Sequence, residues 1–155
     1  MGFEIERKYI VKGNYSKYLS SSHSIKQGFL SVDNDRVVRI RSFDDKGYIT
    51  VKGRLKGLTR FEWDKEITKK EADDLIELCL PFLIEKTRHI IIYKKQRIEV
   101  DEFHGRNSGL ILAEIELDSE TTVPELPDWI GEEVTDDTRY YHSYLSQNPF
   151  TSWDK

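Results

Sequence analysis

The stretch Gln96-Arg97-Ile98-Glu99-Val100-Asp101-Glu102-Phe103 alternates between charged and apolar side chains over most of its length. Residues two apart in a β-strand point to the same face of the sheet. Arg97, Glu99 and Asp101 therefore share one face, and Ile98 and Val100 share the other. This alternation predicts an amphipathic strand.

The same alternation recurs along most of the chain, and turn-prone residues such as Asp44-Asp45-Lys46-Gly47 separate several of the segments. No repeat or Pro/Gly/Ser-rich linker divides the sequence. The predicted strands are Glu4 to Val11, Ile25 to Val32, Arg36 to Phe43, Tyr48 to Lys52, Phe61 to Ile67, Glu85 to Lys94, Gln96 to Phe103 and Leu110 to Leu117.

Helical signals are fewer. Thr68 and Glu71 form the sequence pattern of a capping box, and an apolar stripe follows, so we predict a helix from Lys69 to about Leu80, before Pro81. Further helices are predicted for Asp136 to Leu145 and, as a short element, for Asn14 to Ser21. Ser20, Ser21 and Ser22 are read as a loop, and residues from about 146 onward as an irregular tail.

Charged residues occupy one face of nearly every predicted strand, and apolar residues occupy the other. An open amphipathic sheet with its charges in water would explain any single strand. Acids on some strands and bases on others, repeated over seven strands, instead favour an α+β fold in which the sheet closes into an antiparallel β-barrel with helices outside and charges inside. The inward residues would be Glu4, Glu6, Lys8, Arg39, Arg41, Lys52, Glu62, Asp64, Lys86, Arg88, Arg97, Glu99, Asp101, Glu114 and Glu116.

An enclosed lumen of mixed charges is costly unless a ligand compensates it, because buried ions lose hydration and like charges repel. Carboxylates prefer hard divalent cations such as Mg²⁺ or Mn²⁺. Arginine and lysine side chains prefer phosphate oxygens. A metal-bound oligophosphate satisfies both sets of side chains.

Composition narrows the class of protein. The 155 residues suit one domain, 1–155. The 24 basic and 28 acidic residues give a formal charge of −4, with no basic patch of the kind that binds nucleic acid. The single cysteine, Cys79, suits a reducing compartment, and no signal peptide or membrane-length apolar stretch is present. We therefore expect a cytoplasmic protein with no nucleic-acid or membrane partner.

The N-terminal sequence Glu4-Ile5-Glu6-Arg7-Lys8 resembles the E-x-E-x-K signature of the CYTH family, the triphosphate tunnel metalloenzymes, which includes class IV adenylyl cyclases, thiamine triphosphatases and bacterial inorganic triphosphatases. The resemblance spans about residues 3 to 145. Further matching segments, in the family's order, are Arg39-Ile40-Arg41, Thr50-Val51-Lys52, Arg60-Phe61-Glu62-Trp63-Asp64, Lys86-Thr87-Arg88, Asp101, Gly109-Leu110-Ile111-Leu112-Ala113-Glu114-Ile115-Glu116 and Trp129-Ile130-Gly131-Glu132-Glu133-Val134-Thr135.

The resemblance implies an eight-stranded antiparallel barrel open at both ends. It also implies two sets of site residues. One or two Mg²⁺ or Mn²⁺ ions would be held by Glu4, Glu6, Glu62, Asp64, Glu114 and Glu116, with help from Asp101. Phosphates would be bound by Lys8, Arg39, Arg41, Lys52, Lys86 and Arg88, with Arg54 and Arg139 as further candidates.

The function that follows is metal-dependent hydrolysis of inorganic triphosphate, with nucleoside triphosphates or polyphosphate as poorer substrates. The catalytic candidates are Lys8, Glu4, Glu6, Glu114 and Glu116; Lys8 is either a phosphate clamp or a general acid or base. Two alternatives stay open: a class IV adenylyl cyclase that makes cyclic AMP from ATP, and a non-catalytic binder of polyphosphate or nucleotide. Members of the family are often dimers, so a homodimer is also an expectation.

Two residues depart from the family pattern. Phe29 stands where many members have a tyrosine whose hydroxyl lies next to the motif lysine, which puts the preference for bare triphosphate in doubt. Asp64 stands where glutamate is more usual and shortens the reach of the carboxylate by one methylene group. A water molecule could bridge that difference.

Overall fold

The computed structural model describes residues 2–154, which form nine β-strands, two α-helices and several 3-10 turns. The helices are α1 (Lys69–Ile76) and α2 (His142–Gln147). Neither has the length and apolar character needed to cross a membrane. The strands are β1 (Gly2–Val11), β2 (Leu19–Asp33), β3 (Arg36–Phe43), β4 (Lys46–Gly53), β5 (Thr59–Thr68), β6 (Ile84–Tyr93), β7 (Gln96–Phe103), β8 (Ile111–Glu116) and β9 (Ile130–Glu133).

The strands form one antiparallel sheet in the order β5-β4-β3-β2-β6-β7-β8-β1-β9. A further pairing of β1 with β5 closes the first eight of these strands into a barrel, and β9 is added along β1. The closing seam is short, since only residues 2–5 of β1 pair with residues 59–62 of β5. The predicted closed, eight-stranded antiparallel barrel is confirmed.

Strand register turns the sequence alternation into a charged interior. Neighbouring strands place Lys8 opposite Glu114, Lys52 opposite Glu62 and Arg88 opposite Asp101. Residues directly opposite in a ladder share a face. The charged positions of separate strands therefore meet inside the same barrel.

One part of the apolar outer face is covered by α1, as predicted. The Thr68 hydroxyl accepts from the backbone N–H of Glu71, and the Glu71 carboxylate accepts from the backbone N–H of Thr68, so the capping box is formed. Ala72 and Ile76 then pack with Ile40 in an apolar cluster outside β3 and β4.

The rest of the outer face is covered differently from the prediction. Outside β1, β6, β7 and β8 the covering residues are Trp129, in the irregular segment before β9, and Tyr15 and Tyr18, at a 3-10 turn. Trp129 is only 2% exposed. Helices therefore cover only part of the barrel, because large aromatic side chains on irregular segments bury comparable apolar area.

The predicted helix boundaries need correction. Helix α1 ends at Ile76 rather than near Leu80. The segment Asn14 to Ser21 is not a helix: a 3-10 turn covers Ser16–Tyr18, and β2 begins at Leu19, so the serines read as a loop lie in a strand. The predicted helix from Asp136 divides into a 3-10 turn, Thr138–Tyr140, and α2, while the tail contains a second turn, Phe150–Ser152.

Apolar side chains line part of the barrel interior next to the charged positions. Phe29, Ile84 and Phe103 lie at positions that share a face with Arg39, Gln27 and Lys86 in the strand registers. They pack with Tyr140 and Leu145 from the C-terminal segment. The charged lumen is therefore bounded on this side by an apolar cluster.

Gly47 tests how closely α1 approaches the barrel. A Cβ atom at this position would lie 2.6 Å from the carbonyl oxygen of Thr68 and 2.7 Å from Cβ of Ala72. We expect Gly47→Ala to lower the free energy of unfolding by about 1–3 kcal/mol, because helix and strand must move apart. Urea denaturation measures this difference. Gly2→Ala is the control, since a Cβ there meets nothing within 4 Å, and equal stability of the two variants would contradict the close packing.

Candidate active site in the barrel lumen

The lumen contains a cavity of about 390 Å³, within the range of small-molecule sites. Its charged lining comes from seven of the eight barrel strands, with one histidine from α2. Lys8 faces an adjoining cavity that shares Glu4, Glu6, Arg39 and Lys52. The charged lining consists of Glu4, Glu6, Arg39, Arg41, Lys52, Glu62, Asp64, Arg88, Glu99, Glu114, Glu116 and His142.

Some cations of this site are already neutralised by protein carboxylates. Lys86 Nζ lies 2.7 Å from Asp101 Oδ2, and Arg88 donates two hydrogen bonds to Asp101 at 2.9 and 3.0 Å. Burial opposes ionisation of Asp101, but the charges of Arg88 and Lys86 outweigh it and hold the pKa of that carboxyl well below its usual range. Arg88 Nη1 also donates to Glu99 Oε2 at 3.3 Å, so two carboxylates offset the two cations and this buried network needs no ligand for charge balance.

The two arginines of β3 have no such partner. Among residues 2–154, neither Arg39 nor Arg41 forms an ion pair with a carboxylate. Arg39 Nη2 donates to Thr50 Oγ1 at 3.1 Å, and Arg41 Nε donates to Gln27 Oε1 at 3.1 Å. Burial, followed by the nearby Arg39 and Arg88 charges, lowers the pKa of Arg41 well below its ordinary value. These guanidinium groups are the cations that most need an anion.

Two lysines occupy intermediate positions. Lys52 Nζ lies 2.6 Å from Glu4 Oε1. Lys8 Nζ donates to the carbonyl oxygen of Tyr140 at 3.2 Å and lies 3.8 Å from Glu114 Oε1. Both lysines line the cavity next to Arg39, where a bound anion would contact them together with the arginine.

Three carboxyl groups of the lumen, those of Glu6, Glu62 and Glu116, form no ion pair with a cation of residues 2–154. Burial and the charges of Glu114 and Glu4 raise the pKa of Glu6 to about 8. Burial and a hydrogen bond with Glu4 raise the pKa of Glu62 to about 7, and burial with the charges of Glu4 and Glu99 also raises the pKa of Glu116. Glu6 and Glu116 are opposite each other in the strand register. Near neutral pH and without a cation, Glu6 and Glu62 therefore hold protons to a large extent, and Glu116 releases its proton at a higher pH than an isolated carboxyl group does.

This carboxyl cluster fits a hard divalent cation. Glu4, Glu6, Glu62 and Glu116 supply oxygen ligands on adjacent strands, and their mutual repulsion is what a 2+ charge would relieve. Asp64 lies beside them and accepts a hydrogen bond from Thr50.

A second group, Asp101, Glu114 and His142, places three ligand atoms within 4.8 Å of one another, a proximity that no three carboxyl groups of the first cluster reach among the described residues. It fits a cation less well, because Lys86 Nζ already contacts both Asp101 Oδ2 and His142 Nε2, at 2.7 and 2.9 Å. An ion at this point would meet an ammonium group that lies between two of its ligands. In the carboxyl cluster Lys52 pairs with Glu4, whereas Glu6, Glu62 and Glu116 form no ion pair within the described chain, so that cluster is the better candidate for a cation.

His142 was not among the predicted site residues. Burial and the charge of Lys86 lower the pKa of His142 to about 3, so the imidazole is neutral and its Nε2 accepts from Lys86. The side chain enters the lumen from the first residue of α2, and a strand alternation pattern cannot reveal such a residue. Glu99, Gln27 and Thr50 were likewise missed, although Glu99 and Thr50 lie on predicted charged faces.

Two predicted phosphate ligands lie elsewhere. Arg54 and Arg139 have side chains that are 64% and 55% exposed, and they pair with Asp35 and Asp137 on the surface. Neither lines the lumen cavities. All other predicted site residues are brought together in or beside the lumen.

The position of Phe29 explains how this chain differs around the motif lysine. Phe29 is 3% exposed and lines the same cavity as Lys8. The aromatic ring nearest to the lysine on the C-terminal side is that of Tyr141, whose centroid lies 5.3 Å from Lys8 Nζ. Lys8 therefore contacts an aromatic face and a backbone carbonyl.

A closed barrel whose lumen combines unpaired arginines with unpaired carboxylates defines a tunnel protein for a metal-bound polyanion. The family comparison agrees with this class. The model of the CYTH domain matches residues 2–147, and the chain belongs to this family.

Individual relatives extend the match. The chain is 47% identical over 154 residues to an inorganic triphosphatase of Acetivibrio thermocellus, covering 99% of both chains. It is 32% identical over 147 residues to an inorganic triphosphatase of Nitrosomonas europaea, and this match covers 92% of this chain and 96% of the relative. A crystal structure of an inorganic triphosphatase is similar with a TM-score of 0.67 at 31% identity, over 92% of this chain and 93% of that one. A structure from Pyrococcus horikoshii OT3, 17% identical over 76% and 80% of the chains, shares the fold with a TM-score of 0.59.

The raised pKa values predict proton release when a cation binds. At pH 6.5, Glu6 and Glu62 still carry protons that a divalent ion must displace, so Mn²⁺ binding should release about one to two protons. Affinity for Mn²⁺ should rise with pH and level off above about pH 8. Calorimetry in buffers of different ionisation enthalpy counts the protons. A pH-independent affinity between pH 6 and 8 would contradict the assignment of this cluster.

Proposed function

We propose that this chain hydrolyses inorganic triphosphate with Mg²⁺ or Mn²⁺ as the cofactor. The observation that carries the proposal is the distribution of unpaired charge. Two buried arginines without a carboxylate face the same lumen as three carboxyl groups without a cation. A short phosphate chain with a divalent ion is the simplest ligand that balances both. The similarity to two inorganic triphosphatases at 47% and 32% identity supports the same substrate.

The residues of the lumen divide the work of phosphoryl transfer to water. Arg39 and Arg41 bind phosphate oxygens and offset the charge that spreads over the transferred group. Lys8 and Lys52 extend this positive surface into the adjoining cavity. Enclosure by the barrel excludes bulk water and strengthens each of these contacts.

The carboxylates of the lumen would bind the metal cofactor. Glu4, Glu6, Glu62 and Glu116 would hold the divalent cation, which when bound acidifies a water molecule and offsets phosphate charge. Glu114 lies 3.8 Å from Lys8 and has a lowered pKa, because the charge of Lys8, together with that of Arg88, outweighs its burial. It therefore stays ionised and fixes the position of the lysine, whose role as a clamp fits its hydrogen bond to Tyr140.

The three candidate functions give different outcomes with the same ligands. The pure protein is incubated with Mg²⁺ or Mn²⁺ and either triphosphate or ATP, and the products are separated. We expect orthophosphate and pyrophosphate from triphosphate. Cyclic AMP with pyrophosphate from ATP would instead identify a cyclase, and binding without turnover would identify a binder.

Replacing metal-binding carboxylates should abolish turnover. We expect Glu6→Gln and Glu116→Gln each to lower kcat/KM for triphosphate by roughly a hundredfold or more, because each loses a charged metal ligand. Circular dichroism verifies that the fold persists. Glu132→Gln, at an exposed position of β9, is the control with wild-type rates. Near-normal rates for both test variants would reject the metal assignment.

A pair of arginine variants tests the proposed phosphate contacts in the same way. Arg39→Ala should lower kcat/KM by roughly a hundredfold, since it removes a buried donor from the transition state. Arg139→Ala removes an exposed arginine paired with Asp137 and should keep wild-type kinetics. Steady-state assays with triphosphate compare them. A larger effect at Arg139 than at Arg39 would reverse the assignment of phosphate contacts.

We further propose the cytoplasm as the site of action, with one CYTH domain over 1–155 and no nucleic-acid or membrane partner. The single cysteine supports a reducing compartment. The cations most in need of an anion lie inside the barrel, where a duplex or a lipid surface cannot reach. The homodimer stays a prediction.

A further inference from the structure

Gln27 is a buried amide in the wall of the barrel. It lies on β2 opposite Arg41 of β3, and its side chain is 0% exposed. A primary amide has one acceptor oxygen and two N–H donors, so its complete burial is unfavourable unless both ends find partners. The neighbouring positions on the same strand face, Ile25 and Phe29, are apolar.

The orientation of this amide is fixed by Arg41. A guanidinium group can only donate, so the atom that faces Arg41 Nε at 3.1 Å must be the amide oxygen. The amide nitrogen, Nε2, is buried and donates to no residue within 2–154. Arg39 Nε, two residues along β3 and on the same face, is a second buried donor without an acceptor in the part of the chain that the structure describes. This part of the wall therefore has a surplus of donors.

A neutral partner for Arg41 has a clear consequence for charge. Asp101 offsets the charge of Arg88, whereas the neutral amide of Gln27 does not offset that of Arg41. An acidic residue at position 27 would orient Arg41 equally well but would compete with an anionic ligand. The amide oxygen also occupies only the Nε edge of Arg41, which leaves the two terminal nitrogens for a bidentate contact.

We propose that Gln27 positions Arg41 for phosphate binding in the subsite that Arg41 forms with Arg39. Its oxygen holds the Nε edge of the guanidinium group and leaves the terminal nitrogens to the phosphoryl group. This inference rests on the proposed function and adds a neutral residue to the subsite. Gln27 is thus a positioning residue.

Two variants separate the positioning role of Gln27 from simple filling of space. Gln27→Met keeps the volume but loses the contact with Arg41, and Gln27→Glu keeps the acceptor but offsets the charge of Arg41. Affinity for triphosphate is measured by calorimetry without metal, and kcat and KM are measured with Mn²⁺. Gln96→Glu is the matched control, since that side chain contacts the Glu125 carbonyl outside the lumen.

We expect Gln27→Met to weaken triphosphate binding and raise KM roughly tenfold, with kcat changed by less than about threefold. Gln27→Glu should weaken binding by roughly a hundredfold, and Gln96→Glu should bind as the wild type does. Wild-type affinity of a folded Gln27→Met or Gln27→Glu variant would overturn the proposal.

A measurement on the unaltered protein covers variants that fail to fold. The side-chain amide resonances of Gln27 should shift when triphosphate is added without metal, while those of Gln96 stay in place. An unmoved Gln27 signal at saturating triphosphate overturns the subsite. A wild-type protein that binds triphosphate with these shifts but does not hydrolyse it contradicts the proposed function and still supports the subsite.

Discussion

Unequal pairing of buried charges is the constraint on which the site depends. Asp101 and Glu99 together offset the charges of Lys86 and Arg88, so part of the lumen is an internal ion network that holds β6 and β7 in register. Arg39 and Arg41, by contrast, form no ion pair with a carboxylate of residues 2–154 and donate to Thr50 and Gln27. Breaking a buried pair is expensive, whereas a group buried without its partner is already unfavourable and gains most from a ligand. Charges that have a partner within the protein therefore stabilise the barrel, whereas charges without one are available to a ligand.

Much of the fold follows from local sequence. A period of two assigns each side chain to a face, so residues such as Arg39 and Arg41 could be placed in the interior before any coordinates were known. The outer covering was harder to predict, because Trp129 lies on an irregular segment and packs through tertiary contacts alone. Helix ends were also imprecise, since α1 stops before its apolar stripe does.

The sequence nominates most residues of the candidate site, but it does not show which of them pair with each other. Sequence could nominate Arg88 and Arg41 alike as phosphate ligands, because both alternate with apolar neighbours. Only cross-strand register shows that Asp101 lies opposite Arg88 while Gln27 lies opposite Arg41. His142 arrives from α2 and carries no strand signal. Which charges are free is therefore a property of register rather than of composition.

The narrow seam between β1 and β5 gives the ligand mechanical importance. Only four residue pairs join these strands, and Glu4 and Glu62 belong to that junction. A cation shared by these two carboxylates would join the two strands across the seam, and it would relieve the repulsion from Glu4 that contributes to the raised pKa of Glu62. Binding of the ligand would then also stiffen the barrel, because the candidate site lies at the shortest strand pairing of its wall.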